Sequence, residues 1–465
     1  MQQGRCILSA DNAGRVLDRL AGLEKVIRPE ALRQALFASG RQNQRACVLT
    51  HEVVFWVVLA MGVLTDLPIR QVFKHARRLR PDEATPDRSA LSQARQRLGV
   101  EPVRHLFRQV VRPLATPERT PSAFYKGLRW VGIDGVVMDV PDTEAHATAF
   151  GRPTAGAERG DGAFPQIRKV SLVELGTHLE IAFAFQGVRC GSEQDLVEPL
   201  LDYVPADSLL VEDRGFFSYD LWKQITDRGF KVLARVSSSL VLQPIQRLGD
   251  GSYLAKIYRC SYDREKDRNG LVVRVIKYTL RDPQRVGHGE EHRLITNLLE
   301  AELYPADELI PGYHERWEEE LVFDEQKTHL DPRRASKPTH LRSQTPSGVE
   351  QELYALSLGH FVVRALMTEA AAQAELDPDC LSFTGCLQIL RCRLPECDGR
   401  TPATLGCWYR ALLAEMAAER TDPRRNRINP RVIKRKMSKW PKKRPEHRRS
   451  PPLKKTFSET VVMLR

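Results

Sequence analysis

Arg129-Trp-Val-Gly-Ile-Asp134-Gly-Val-Val-Met-Asp-Val140 is an apolar, β-like run with a carboxylate at its middle. Its composition predicts a buried strand, and a buried strand does not tolerate an unpaired charge, so Asp134 calls for a cation. A second short apolar run, Ser208-Leu-Leu-Val-Glu-Asp213, also ends in a carboxylate and is followed by Arg214-Gly-Phe-Phe217. A helix-like stretch begins at Tyr219, which places Asp213 at a strand end.

Working outward, residues 169–175 and 179–185 read as strands joined by a turn at Gly176-Thr177. A helix over 193–203, a strand over 209–213 and a strand over 230–236 follow. Three strands, a helix and a further strand is the ribonuclease-H-like order. Residues 240–258, 271–280 and 292–299 read as more strands, so 237–290 is expected to be a β-rich insertion. A helix over 305–327 comes next, then a long amphipathic helix over 349–374 that should cover the sheet. Residues 16–115 read as helices. The expected class is α/β: a ribonuclease-H-like core with a β-rich insertion, preceded by an all-helical domain. The expected divisions are 1–120, 121–375 and 376–465.

Tyr313, Arg316, Glu320 and Lys327 are spaced by three, four and seven, and on one α-helix they share a stripe roughly 60° wide. A carboxylate between two cations and a phenol suits a metal-bound phosphodiester, with Glu for the metal and Arg and Lys for phosphate oxygens. A solvated helix face is the alternative, since His314, Glu315, Glu318, Glu319, Asp324 and Glu325 surround the stripe. Glu319 falls roughly 100° away from it and should matter little. Two strand-borne aspartates and a helix-borne glutamate, brought together by folding, would form an all-oxygen site for Mg²⁺ or Mn²⁺.

At these residues the chain resembles the DDE transposases of bacterial insertion sequences, specifically the insertion element four family. The third catalytic segment of that family, Tyr-x2-Arg-x3-Glu-x6-Lys, fits Tyr313, Arg316, Glu320 and Lys327 without a gap. The second, Asp-x-Gly-x-Phe, fits Asp213, Gly215 and Phe217, and the first fits Gly132-Ile-Asp134-Gly with Pro141-Asp-Thr143 and Phe150-Gly-Arg-Pro153 downstream. The resemblance implies a transposase that cleaves DNA at transposon ends and transfers the strand to target DNA. Its catalytic and metal-binding triad would be Asp134, Asp213 and Glu320, with Asp134 touching both ions. It also implies phosphate contacts from Tyr313, Arg316 and Lys327, and a homodimer on paired terminal inverted repeats. Family members that cut through a DNA hairpin hold a flipped base on an aromatic residue, often Trp, in the inserted segment. Here no Trp lies between Trp222 and Trp317, leaving Tyr253, Tyr258, Tyr262 or Tyr278 as the stacking face.

The formal charge of +12 is local, because residues 424–455 carry fifteen Lys/Arg against the single acid Glu446. Pro430, Pro441, Pro445, Pro451 and Pro452 forbid a continuous helix there, so the stretch reads as an extended arm along phosphates. Arg435, Lys436, Lys442, Lys443 and Arg444 are its expected DNA contacts, and a solvated tail is the alternative. At the other end, Thr85-Pro86 reads as a helix start and Gly99 as its stop. The helix between exposes Ser89, Gln93, Gln96 and Arg97, among which Gln93 and Arg97 are expected to touch DNA as in a helix-turn-helix reader; a helical bundle with an ordinary polar face is the alternative.

Nine cysteines without a regular framework argue against a disulfide scaffold and for a reducing cytoplasm, where the protein would associate with the nucleoid. The longest apolar run, 53–64, is shorter than the ~20 residues that span a bilayer and reads as a buried helix, so no membrane partner is expected. His288-Gly-Glu-Glu-His292 matches the inverted zincin pattern literally, but Gly287 and Gly289 favour a hairpin turn over the helix such a site needs. Two other functions remain compatible with the sequence: a non-catalytic DNA-binding protein derived from a transposase, and a stand-alone nuclease of the same fold.

Overall fold

His51–Val63 has no polar face, and it is buried almost all round. Thr50 starts it by accepting the Val53 N–H at 3.2 Å, a side-chain cap for one of the helix's unsatisfied donors. In this computed structural model the described residues are 17–42, 47–77, 85–154, 161–283, 288–330, 341–398, 401–421 and 455–464. They form two units, Met1–Ser208 with Trp317–Thr421, and Leu209–Arg316 with Asp422–Arg465.

In the first unit the helices Pro29–Ala38, His51–Val63, Ile69–Ala76, Arg88–Leu98 and Glu101–Val110 share one apolar core with the sheet and the later helices. Pro346–Gln373 is the longest helix, capped by Thr345, and spans roughly 42 Å. It is buried on nearly every side instead of being amphipathic, because helix His51–Val63 covers one flank and the sheet another. Gly62 and Gly359 bring the two helices into backbone contact: a Cβ on Gly62 would lie 1.9 Å from the Ala355 carbonyl oxygen. On the sheet side, the Phe183 and Tyr354 rings meet at 4.7 Å.

That sheet is antiparallel: β1 (Phe124–Tyr125), β2 (Leu128–Asp139), β3 (Gln166–Glu174) and β4 (Leu179–Gly187), in the order β4-β3-β2 with β1 on β2. Asp134 lies opposite Ser171, and Ser171 opposite Phe183. The expected helix over 193–203 is instead two 3₁₀ pieces, Gln194–Leu196 and Glu198–Tyr203. Pro199, which lacks an N–H, falls where the ladder breaks.

In the second unit β5 (Ser208–Glu212) runs parallel to β6 (Lys231–Arg235) across the helix Tyr219–Asp227. The expected strand over 240–258 shrinks to β7 (Gln246–Arg247) and β8 (Tyr253–Ile257), with a turn at Gly249-Asp250-Gly251 between them. β8 pairs with β9 (Leu271–Leu280), β9 with β10 (His292–Thr296), and β10 with β6, all antiparallel. β11 (Val461–Met463) adds to the far end of β9. The insertion is therefore an extension of the β6 edge. Arg274 pins it from a fully buried position, donating to Ser252 Oγ at 2.8 Å and the Tyr304 carbonyl at 2.6 Å and pairing with Asp250. Three antiparallel strands followed by a parallel strand–helix–strand make the core ribonuclease-H-like, as the sequence order implies.

Candidate active site

Asp134 sits half-buried in the middle of β2, its carboxylate accepting the N–H of Gly135 at 2.8 Å. Alternation along a strand puts Gly132 on the same face. The helix Glu318–Asp324 seats there, and its buried Glu319 occupies the space a side chain at position 132 would fill: a Cβ on Gly132 would lie 1.5 Å from Glu319 Oε1. Glu320, the next residue, is exposed. One unit thus carries Asp134 and the helix of Glu320 against each other. Glu319 is buried against this strand and is not part of a solvated helix face.

Asp213 follows β5 in the second unit, with Oδ1 accepting the Arg214 N–H at 2.7 Å. Tyr313 is buried, and its hydroxyl donates to the Glu212 carbonyl at 3.3 Å. Burial raises the Tyr313 phenol above its ordinary range, with Arg316 opposing and Asp213 adding to the shift. The phenol is therefore turned to the end of the strand that bears Asp213. Arg316 is buried as well. Glu212 is fully buried, and burial pushes its carboxyl up to about 8. Its Oε1 has no hydrogen-bond partner among the described residues.

The single helix expected over 305–327 is four segments: helix Ala306–His314, a 3₁₀ turn Glu315–Trp317, helix Glu318–Asp324 and a π turn Glu325–His329. The α-helical period therefore does not run unbroken from Tyr313 to Lys327. Lys327 lies in the π turn, its Nζ donating to the Val137 carbonyl at 3.3 Å, three residues past Asp134 on β2. Burial and the neighbouring Lys169 lower its ammonium from the ordinary value, against Asp139 and Asp324.

Ser89, Gln93, Gln96 and Arg97 are all exposed on the helix Arg88–Leu98. The helix starts two residues later than Thr85-Pro86 implies, and Asp87 holds the cap position without a side-chain bond. Thr85 is engaged elsewhere, accepting from Arg77 Nη2 at 3.1 Å. Of the inserted tyrosines, Tyr253 and Tyr278 are buried, whereas Tyr262 is 57% exposed. Tyr258 bonds Asp267 at 2.7 Å. His288 meets the Leu280 carbonyl at 2.9 Å and His292 lies in β10, so no helical zinc motif forms there. The arm, with Arg435, Lys436, Lys442, Lys443 and Arg444, lies outside the described residues. No helix among those described is long and apolar enough to cross a membrane.

Sequence reasoning missed the buried polar residues behind the helix of Glu320. His178, Glu318 and Asp379 bring donor atoms within 4.8 Å of one another, and His178 Nε2 lies 2.8 Å from Glu318 and 3.2 Å from Asp379. His178 has φ +54°, a rare left-handed conformation for a residue with a side chain, in the tight turn between β3 and β4. No periodicity signals such a residue. This nitrogen-and-oxygen group is distinct from Asp134, Asp213 and Glu320, whose all-carboxylate donors suit a hard divalent ion.

A family model described as Insertion element 4 transposase N-terminal matches residues 17–108. Another, described as Transposase DDE domain, matches residues 128–358. The chain is similar to the transposase InsG for insertion sequence element IS4 of Escherichia coli (strain K12), with 30% identity over 434 residues, 91% of this chain and 93% of that protein. It is also similar to InsZ of the same strain, whose own designation as a transposase is provisional: 30% identity over 203 residues, 43% of this chain and 65% of that protein.

Proposed function

The chain belongs to the insertion element 4 family of DDE transposases, and from that premise we propose that Asp134, Asp213 and Glu320 are its catalytic triad. It is a transposase, a metal-dependent enzyme that cuts DNA at transposon ends and transfers the strand to target DNA. The observation that supports Asp134 and Glu320 as partners is the seat at Gly132, where the helix bearing Glu320 rests on the strand bearing Asp134; Asp213 rests on the sequence motif.

A divalent ion is implied by the family, and the three carboxylates are an oxygen-only set that fits Mg²⁺, with Mn²⁺ as a substitute. When bound, a pair of such ions supplies charge stabilisation to both the attacking and the leaving oxygen of an in-line displacement. Asp134, Asp213 and Glu320 would hold them. Lys327, braced on the Val137 carbonyl, would grip a phosphate oxygen near Asp134, and Arg316 would clamp another with its planar fork. Tyr313 would serve chiefly by fixing the strand end that bears Asp213. Gln93 and Arg97, in the helical segment 1–120, and the basic arm 424–455 with Arg435, Lys436, Lys442, Lys443 and Arg444 would capture DNA. The working form would be a homodimer on paired ends, in the cytoplasm with the nucleoid.

The test is metal-dependent nicking of a duplex carrying the element's terminal repeat. Asp134→Asn, Asp213→Asn and Glu320→Gln should each abolish cleavage and strand transfer while leaving end binding largely intact. Near wild-type cleavage by any one of them removes that residue from the triad.

A further inference from the structure

The helix that bears Glu320 is gripped through its polar side chains more than a core helix requires. Glu318 is held by His178 in the β3–β4 turn, at 2.8 Å. Glu325, five residues beyond Glu320, is fully enclosed; it pairs with Arg364 of the helix Pro346–Gln373, whose Nε lies at 3.0 Å, and with His360 Nε2 at 2.9 Å. Arg364 Nη2 also lies 2.8 Å from His178 Nδ1, so the histidine that holds Glu318 is itself tied to the long helix. Gln326 donates to Glu180 at 3.0 Å and accepts from Lys169 at 3.0 Å. Ser171 and Ser357 complete the shell of Glu180, each at 2.5 Å.

These bonds reach four elements: β3, β4, the turn between them and the long helix. Apolar contacts tolerate a helix that rolls by a few degrees, whereas directional bonds to fixed partners do not. Glu325 and Gln326 also sit at the entry to the π turn, closed by the Leu330 N–H on the Glu325 carbonyl at 2.8 Å. A π turn inserted in a helix is costly unless tertiary bonds hold it. At roughly 6 Å from the helix axis, a roll of about 10° moves a carboxylate by about 1 Å, and misplacement of that size costs a reaction on the order of 100-fold.

We propose that Glu325 and Arg364, with Gln326, are positioning residues for catalysis: their buried bonds set the roll of the helix Glu318–Asp324 and hold Glu320 in its metal-binding orientation beside Asp134. The proposal rests on Glu320 being a metal ligand. Arg364→Lys is the main probe, because it keeps the charge and loses the fork. The full-length chain, bound to a duplex of its terminal repeat, is titrated with Mn²⁺ and followed by electron paramagnetic resonance, alongside single-turnover cleavage. Leu390→Ala, a buried change in the helix Phe383–Arg393, serves as a control for lost stability. Arg364→Lys should weaken Mn²⁺ binding tenfold or more and slow cleavage on bound ends 10- to 100-fold, with saturating Mn²⁺ restoring part of the rate. Leu390→Ala should lower the melting temperature while leaving the Mn²⁺ midpoint unchanged. If Arg364→Lys does not fold, Gln326→Met carries the same expectation at about threefold. Glu320→Gln run in parallel separates the two readings. An unchanged Mn²⁺ midpoint in Glu320→Gln overturns the ligand assignment and the proposal with it. A shifted midpoint in Glu320→Gln with an unshifted one in the folded positioning variant overturns the positioning role alone.

Discussion

The buried glutamates beside the two proposed carboxylates, Glu180 and Glu325 in one unit and Glu212 in the other, are held by opposite means. In the first, Glu180 and Glu325 are buried, and burial alone would raise both carboxyls. Lys169 and the Ser171 and Ser357 hydroxyls outweigh it at Glu180, and Arg364, His178 and His360 at Glu325, so both are held below the ordinary range. In the second, Glu212 is as deeply buried beside Asp213, nothing offsets the loss of water, and its carboxyl rises. A compensated acid is an anchor at neutral pH, whereas an uncompensated one is a liability that grows as it ionises. The strand end of Asp213 therefore rests on apolar packing and the Tyr313 hydroxyl, while the helix of Glu320 rests on charge.

The most damaging way to break this contrast is Lys169→Met, which leaves Glu180 buried without its cation. Chemical denaturation should show a loss of about 3–5 kcal/mol, and adding Glu180→Gln should recover much of it. A loss below 1 kcal/mol in the single variant would mean that the pair anchors nothing.

The pH responses sharpen the contrast, because they have opposite signs. The Glu212 carboxyl is raised in the folded chain, so as pH climbs the unfolded chain ionises first. Its stability contribution then falls between about pH 4.5 and 8 and is flat beyond, by an amount on the order of 5 kcal/mol. Glu180 and Glu325 are depressed, so their contribution is complete above pH 4.5 and is lost as acid protonates them. Glu212→Gln should flatten the fall toward pH 8 and stabilise the protein there. An unaltered pH profile of the melting temperature in that variant would show that Glu212 has found a partner.

Gly132→Ala attacks the seat itself. Its methyl displaces the Glu319 carboxylate, which should cost about 1–3 kcal/mol of stability and on the order of 100-fold in cleavage, as read by melting and by nicking of bound ends. Wild-type cleavage would show that Glu320 does not depend on this contact. The smallest effect expected is from Tyr313→Phe, which removes one bond to the Glu212 carbonyl for about 1 kcal/mol. Its cleavage defect should be modest and independent of salt. A strongly salt-dependent loss of DNA binding would assign the hydroxyl to a phosphate instead.

Much of the scaffold was legible because its signals are local. The expected strands over 129–140, 169–175, 179–185 and 209–213 fall within a few residues of β2 to β5, since apolar runs and turn residues bound them. The motifs also put Asp134 inside a strand and Asp213 at a strand end. The segment 305–327 reads as one helix because its three changes of winding leave no mark in the α-helical period; the π turn, at least, is held by Arg364 and Lys169, which lie far away in the chain. The same blindness hid Glu319, whose burial comes from the missing side chain at Gly132 and not from its own place on a helical wheel.

Gly62 and Gly359 bear on how such elements acquire new specificities. Where two helices touch backbone to backbone, neither can be replaced by a homologous segment unless the replacement brings its own glycine to the same crossing. The helices preceding β1 are consequently a poor cassette for exchange between transposable elements. The exposed positions of Arg88–Leu98, Gln93 and Arg97 among them, can vary as single substitutions without disturbing that crossing.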